Sequence, residues 1–129
     1  MLQSTSIDFL IRIKNAYQAG KKQITTPASN FTSNIAKLLK RYKFIEDFTF
    51  NKGSKPTLTL KLSYIGNKAK LSTVKIFSKP GRRLYEKVST LPWGERPNSL
   101  IIISTSSGLM SQKEAKVKGL GGELIAEIY

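Results

Sequence analysis

The sequence predicts an α+β protein of two small mixed domains, and three observations predict it. Apolar residues recur at helical spacing twice within the first 42 positions, alternate strictly from 57 to 64, and beyond 70 fall into short runs broken by proline and glycine. The N-terminal domain is expected to pack two helices on a short sheet. The C-terminal domain is expected to be mainly antiparallel β with one short helix. The short, basic, glycine-containing segment 65–70 marks the change, giving domains over 1–66 and 67–129.

The first helix is expected over 6–18, where Phe9, Leu10, Ile13, Ala16 and Tyr17 share a face and Arg12, Lys14 and Asn15 fall elsewhere. "TTPASN" supplies a proline turn and a cap, Ser29 or Asn30, for a second helix striped by Phe31, Ile35, Leu38, Leu39 and Tyr42. "FIEDFTF" and "TLTLKLSY" read as strands joined by the hairpin loop "NKGSKP". In the second of them Leu58, Leu60, Leu62 and Tyr64 face the core. "LSTVKIF" opens the C-terminal domain as a strand, and "SKPGRRLY" carries the Pro-Gly of a type II turn into an extended segment. "LPWGERPNS" is a loop, Leu100 to Ile103 a strand buried on both faces, and Ser111 with Glu114 a capping box for a helix over 112–118 that ends at Gly119. "ELIAEIY" closes the chain as a strand.

Charge points to the class of partner. Twenty-two lysines and arginines face eight acids, a formal net charge of +14. Eight bases lie between Asp8 and Glu46, and nine between Asp47 and Glu86, with no acid in either stretch. Bases without acidic neighbours favour a polyanion over self-pairing. Histidine and cysteine are absent, which removes imidazole bases, thiolate nucleophiles, disulfides and the usual zinc ligands. "GLGGE" lacks the dinucleotide-binding spacing, no P-loop occurs, and the carboxylates are scattered, so neither an enzyme nor a cofactor is expected. No secretory pattern or long apolar run appears, and a soluble protein is expected.

"STSSG" follows directly on the apolar run at 100–103, and Ser111 already fills the helix-capping role. Ser104, Thr105, Ser106 and Ser107 are therefore candidate contacts to RNA phosphates, riboses or bases. If the last strand runs antiparallel to 100–103, Gly121, Gly122 and Glu123 open beside the same loop, where small residues permit close approach and Glu123 serves as a base-edge acceptor or orients the loop. In "SKPGRRLY", Lys79, Arg82 and Arg83 reach for phosphates, and Tyr85 offers a ring for stacking. Thr26, Pro27 and Ser29, near Lys21 and Lys22, form a third candidate contact.

"FLIRIKNAY", "TPAS", "FIEDF", "SKPGRRLY", "STSSGLM" and "KGLGGELI" occur in the order and spacing of the bacterial-type small-subunit ribosomal protein eight family, which the chain resembles from about Ile7 to Tyr129. The resemblance implies two α+β domains sharing one RNA face, and a primary binder of the central domain of small-subunit ribosomal RNA. It implies that the loop matching Ser104 to Gly108, with the turn matching Gly121 to Glu123, reads an irregular helical core. The turn matching Thr26 to Ser29 would touch the RNA backbone. It further implies a position near small-subunit protein five, in a ribosome of the bacterial cytoplasm or of a mitochondrion or plastid. The family usually has a basic residue where Ser107 stands, and "WGERPNS" replaces a glycine-containing stretch.

Overall fold

A computed structural model of the chain describes residues 4–66, 68–79 and 81–129. Its fold is α+β, with three α-helices and antiparallel sheets. One compact unit spans Asp8–Ser72, and a second is built on Thr73–Tyr129.

In the first unit, helix α1 (Ser4–Gln18) buries Phe9, Leu10, Ile13, Ala16 and Tyr17, the face its periodicity defines. Where a turn was expected, strand β1 (Gln23–Pro27) forms instead. Its alternation is hidden in sequence because one of its two buried residues is a threonine. Pro27 is tolerated because β1 is an edge strand, bonded only to β3 (Thr57–Leu62). Helix α2 (Asn30–Arg41) is capped by Ser29, whose Oγ accepts from Thr32 N at 3.2 Å while Thr32 Oγ1 accepts from Ser29 N at 2.8 Å. Strand β2 (Ile45–Asn51) completes the sheet order β1-β3-β2, and Leu58, Leu60 and Leu62 of the central strand bury beneath it. The segment expected to be a plain linker folds as a small hairpin, β4 (Tyr64–Ile65) on β5 (Lys68–Ala69). Tyr64 therefore leaves β3 and sets its ring 5.3 Å from that of Tyr17.

In the second unit, strand β10 (Gly122–Ile128) is the spine. On one side it pairs with β8 (Leu100–Thr105), which continues through a hairpin into β9 (Gly108–Ser111). On the other side β6 (Val74–Ile76) covers its end and β7 (Tyr85–Glu86) its beginning. The gap between β6 and β7 is stitched by Ser78, which is wholly buried. Its hydroxyl donates to Leu124 O at 2.6 Å and accepts from Leu84 N at 2.9 Å, satisfying backbone groups no strand reaches. The 79–82 turn is closed by reciprocal backbone bonds of 2.9 Å, with Gly81 at φ 84° as a type II turn requires; Pro80, the other half of that expectation, lies outside the described residues. A 3-10 turn at Val88–Thr90 leads into the 91–99 loop. Helix α3 (Gln112–Lys118) starts at Ser111, whose Oγ accepts from Glu114 N at 3.1 Å, and ends at Gly119. Leu91, Ile101, Ile103, Met110, Ala115 and Leu124 pack as one hydrophobic cluster of this unit, and Leu100, Ile102, Ile125 and Ile128 are buried as well.

Two polar residues bind distant segments together. Gln112 is wholly buried; its Nε2 donates to Ser99 O at 2.8 Å and Trp93 O at 3.0 Å, and its Oε1 accepts from Ile101 N at 2.9 Å. Tyr17 donates its hydroxyl to Phe44 O and accepts from Ser63 N at 2.9 Å. Burial pushes its phenol up from 10.0 to about 12.

Replacing Gln112 with Ala strands three backbone groups, and a loss of about 2–5 kcal/mol is expected in urea unfolding. Tyr17→Phe is expected to cost about 1–3 kcal/mol at neutral pH. The folded state holds the phenol proton more tightly than the unfolded chain. The Tyr17 contribution is therefore complete below pH 10 and disappears as pH rises towards about 12. The stability gap between wild type and Tyr17→Phe should close over that window, and a gap that stays constant to pH 12 would contradict this account.

Candidate nucleic-acid interface

The strand at 100–103 runs two residues further than its apolar residues suggest, so Ser104 and Thr105 are strand residues and Ser106 and Ser107 form the two-residue tip of the β8–β9 hairpin. Thr105 closes that tip. Its Oγ1 donates to Gly108 O at 2.8 Å and accepts from Ser107 N at 3.1 Å. The run of hydroxyls thus divides by role: Thr105 fixes the turn, and Ser106 and Ser107 stand exposed on it. A tip held in one shape loses little entropy when it docks.

β10 begins beside this tip. Its register places Glu123 opposite Ser104 on one side and opposite Tyr85 on the other, so three strands bring Tyr85, Glu123 and Ser104 into one row. Tyr85 is 66% exposed, whereas Glu123 is 5% exposed. Arg83 Nη1 lies 3.6 Å from Glu123 Oε1, and Oε2 of the same carboxylate is buried without a hydrogen-bond partner among the described residues. An unsatisfied buried carboxylate oxygen is costly, and a donor brought by a ligand would remove that cost. Lys79 and Arg82, on the turn leading into β7, are exposed on the same stretch of chain.

Gly121 and Gly122 have a structural reason to be glycines. A Cβ on Gly121 would stand 2.4 Å from Glu86 O, and one on Gly122 would stand 2.2 Å from Ser104 O. The close approach these residues permit is made first by the protein's own backbone.

Of the candidates in the first unit, Pro27 and Ser29 are exposed, but the Ser29 hydroxyl is engaged in capping α2. Thr26 is 2% exposed, and its Oγ1 has no partner among the described residues. This unit carries thirteen bases and three acids, and the acids at 46 and 47 pair with Lys61 at 3.5 Å and Lys40 at 2.9 Å. The Lys40 ammonium, donating to Asp47, holds that carboxyl below its ordinary value. A cleft of about 590 Å³ lined by Arg12, Asn15, Lys21, Gln23 and Thr25 adds a basic, amide-rich surface that sequence reasoning did not assemble. The signal was the i, i+3 pair Arg12 and Asn15 on the wet side of α1. Among the described residues no cluster of three carboxylates could hold a metal ion.

A hydroxyl tip, a desolvated acceptor, an exposed tyrosine and flanking bases can together read RNA groups and hold phosphates. The family model for ribosomal protein S8 matches residues 5–129. A small ribosomal subunit protein uS8 of Marinomonas sp. (strain MWYL1) is 37% identical over 128 residues, 99% of this chain and 98% of its own. The protein of the same name from Chromohalobacter salexigens is 36% identical over the same shares. With matches of that extent, the chain belongs to the ribosomal protein S8 family.

Proposed function

We propose that this structural, non-catalytic protein of the small ribosomal subunit is a primary binder of the central domain of small-subunit ribosomal RNA. The second unit reads an irregular helical core. Ser104, Ser106 and Ser107 supply hydroxyls from the tip that Thr105 shapes, and Glu123 accepts from a base edge. Tyr85 stacks, Lys79 and Arg82 hold phosphates, and Gly121 and Gly122 keep the row compact. The first unit touches the RNA backbone with Pro27 and Ser29, supported from behind by Thr26. The observation that carries this reading is the buried Oε2 of Glu123, without a hydrogen-bond partner among the described residues, in the row between Tyr85 and Ser104. In the assembled particle the protein lies near small-subunit protein five, in ribosomes of the bacterial cytoplasm or of an organelle.

The test is a titration at several salt concentrations, comparing a central-domain RNA fragment with a fully paired helix of equal length. Tight binding to the fragment alone is expected. Equal binding to both would make the chain a sequence-independent coat for duplexes.

Two sets of variants divide reading from attraction. Ser106→Ala combined with Ser107→Ala is expected to weaken binding to the fragment by about 2–4 kcal/mol, at roughly 1–2 for each hydrogen bond lost, and to leave binding to random RNA nearly unchanged. Equal losses on both RNAs would remove the tip from the reading. Lys21→Gln with Lys22→Gln should weaken every RNA alike and flatten the salt slope by at most about 1.5 units, at roughly 0.7–0.9 per phosphate contact. An unchanged slope would show that these lysines meet no phosphate.

A further inference from the structure

Trp93 is the chain's one tryptophan, and its side chain lies in the 91–99 loop with 64% of its surface exposed. Singly exposed apolar residues are ordinary. What sets Trp93 apart is the amount of buried polar structure that holds its loop. Gln112 binds the Trp93 carbonyl. The carboxylate of Glu127, 3% exposed, accepts from Glu95 N at 2.6 Å, and the hydroxyl of Ser99, also 3% exposed, accepts from Arg96 N at 3.0 Å. Gly94 has φ 109°, and a Cβ there would meet Ser99 Cβ at 2.5 Å, so the backbone beside Trp93 is fixed as well. These hydrogen-bonded buried groups hold the loop in one shape, so an indole presented on it loses little entropy when it docks.

The surroundings indicate what uses it. Lys116 Nζ sits 4.0 Å from the indole centroid and is anchored by donating to Leu91 O at 2.7 Å, which places an ordered cation against one part of the ring. Lys113 lies one helical turn earlier on α3 and is exposed. Glu95, the acid nearest in sequence, is paired with Lys75 at 3.1 Å. A rigid aromatic surface with one ammonium beside it, and a second exposed lysine one turn away on the same helix, suits a nucleotide, whose base stacks on the ring and whose phosphate meets the lysines. We infer that Trp93, with Lys116 and Lys113, forms a second RNA site that takes an unpaired nucleotide, separate from the hairpin tip at Ser106 and Ser107.

Because Trp93 is the sole tryptophan, its emission, excited where tyrosine does not absorb, reports directly on this site. The intact protein titrated with a short oligoadenylate at low salt is expected to show saturable quenching. Trp93→Ala should weaken binding of that oligonucleotide about 5- to 150-fold, the range for loss of one stacked base. Trp93→Phe should retain part of the affinity. The variant with Ser106→Ala and Ser107→Ala should quench as wild type does, which separates this site from the tip. Binding without quenching, no binding, or wild-type affinity in Trp93→Ala would each overturn the inference.

Discussion

Between Gly122 and the carbonyl of Ser104 there is room for a hydrogen atom and nothing larger, and the second unit is organised around that contact. A methyl group at 122 would lie 2.2 Å from Ser104 O, and one at 121 would lie 2.4 Å from Glu86 O, so two successive glycines let β10 slide between β7 and β8. Glu123 is carried into the resulting gap and buried, with Ser104 on one flank and Tyr85 on the other. With any side chain at 121 or 122, β7 or the end of β8 would have to move away, and the row would come apart. The backbone cost of opening β10 with glycines is offset by the ladder it completes and by Ser78, which closes the gap between β6 and β7.

Elements whose burial follows their own periodicity were legible in the sequence. α1, α2 and β3 each present a regular apolar set, and the caps at Ser29, Ser111 and Gly119 are short-range chemistry that acts within four residues. β1 was not legible, because Thr26 occupies a buried position that a hydrophobic pattern would mark with an aliphatic residue, and because Pro27 argues against a strand unless the strand lies at an edge. The bulge in β10 at Ile125, whose carbonyl accepts from both Phe77 and Ser78, likewise depends on segments more than forty residues away. At the candidate site, the sequence reading placed 104–107 beside 121–123, as the strand register does, but it did not distinguish one hydroxyl from the next. That Thr105 serves the turn is a matter of which carbonyl lies within 2.8 Å of it.

Net charge and the proposed reading groups are divided unequally between the two units. The first carries thirteen bases and three acids, whereas the second, counted over 73–129, carries nine bases and five acids. Long-range pull on a polyanion would therefore come mostly from the unit with fewer of the proposed reading groups. The unit with the hydroxyl tip has a weaker field, and two of its acids are buried in β10. Glu127 is fully committed to the protein, holding the Trp93 loop through Glu95 N. Glu123, in the same strand, has one oxygen near Arg83 and the other without a partner among the described residues.

If the row meets RNA as proposed, that difference bears on how one RNA would be told from its competitors. A lysine at position 123 would attract any phosphate and would discriminate little. A desolvated carboxylate repels phosphate and is stabilised only by a donor such as an exocyclic amine placed within hydrogen-bond distance. Arg83 Nη1 lies 3.6 Å from one oxygen of that carboxylate, and the other oxygen has no hydrogen-bond partner among the described residues. Most backbone contacts are therefore penalised at this point, and one geometry of base edge is favoured. Under that reading, specificity at the row would rest on a carboxylate oxygen without a partner among the described residues, while the lysines of the other unit would lower the cost of the search without deciding its outcome.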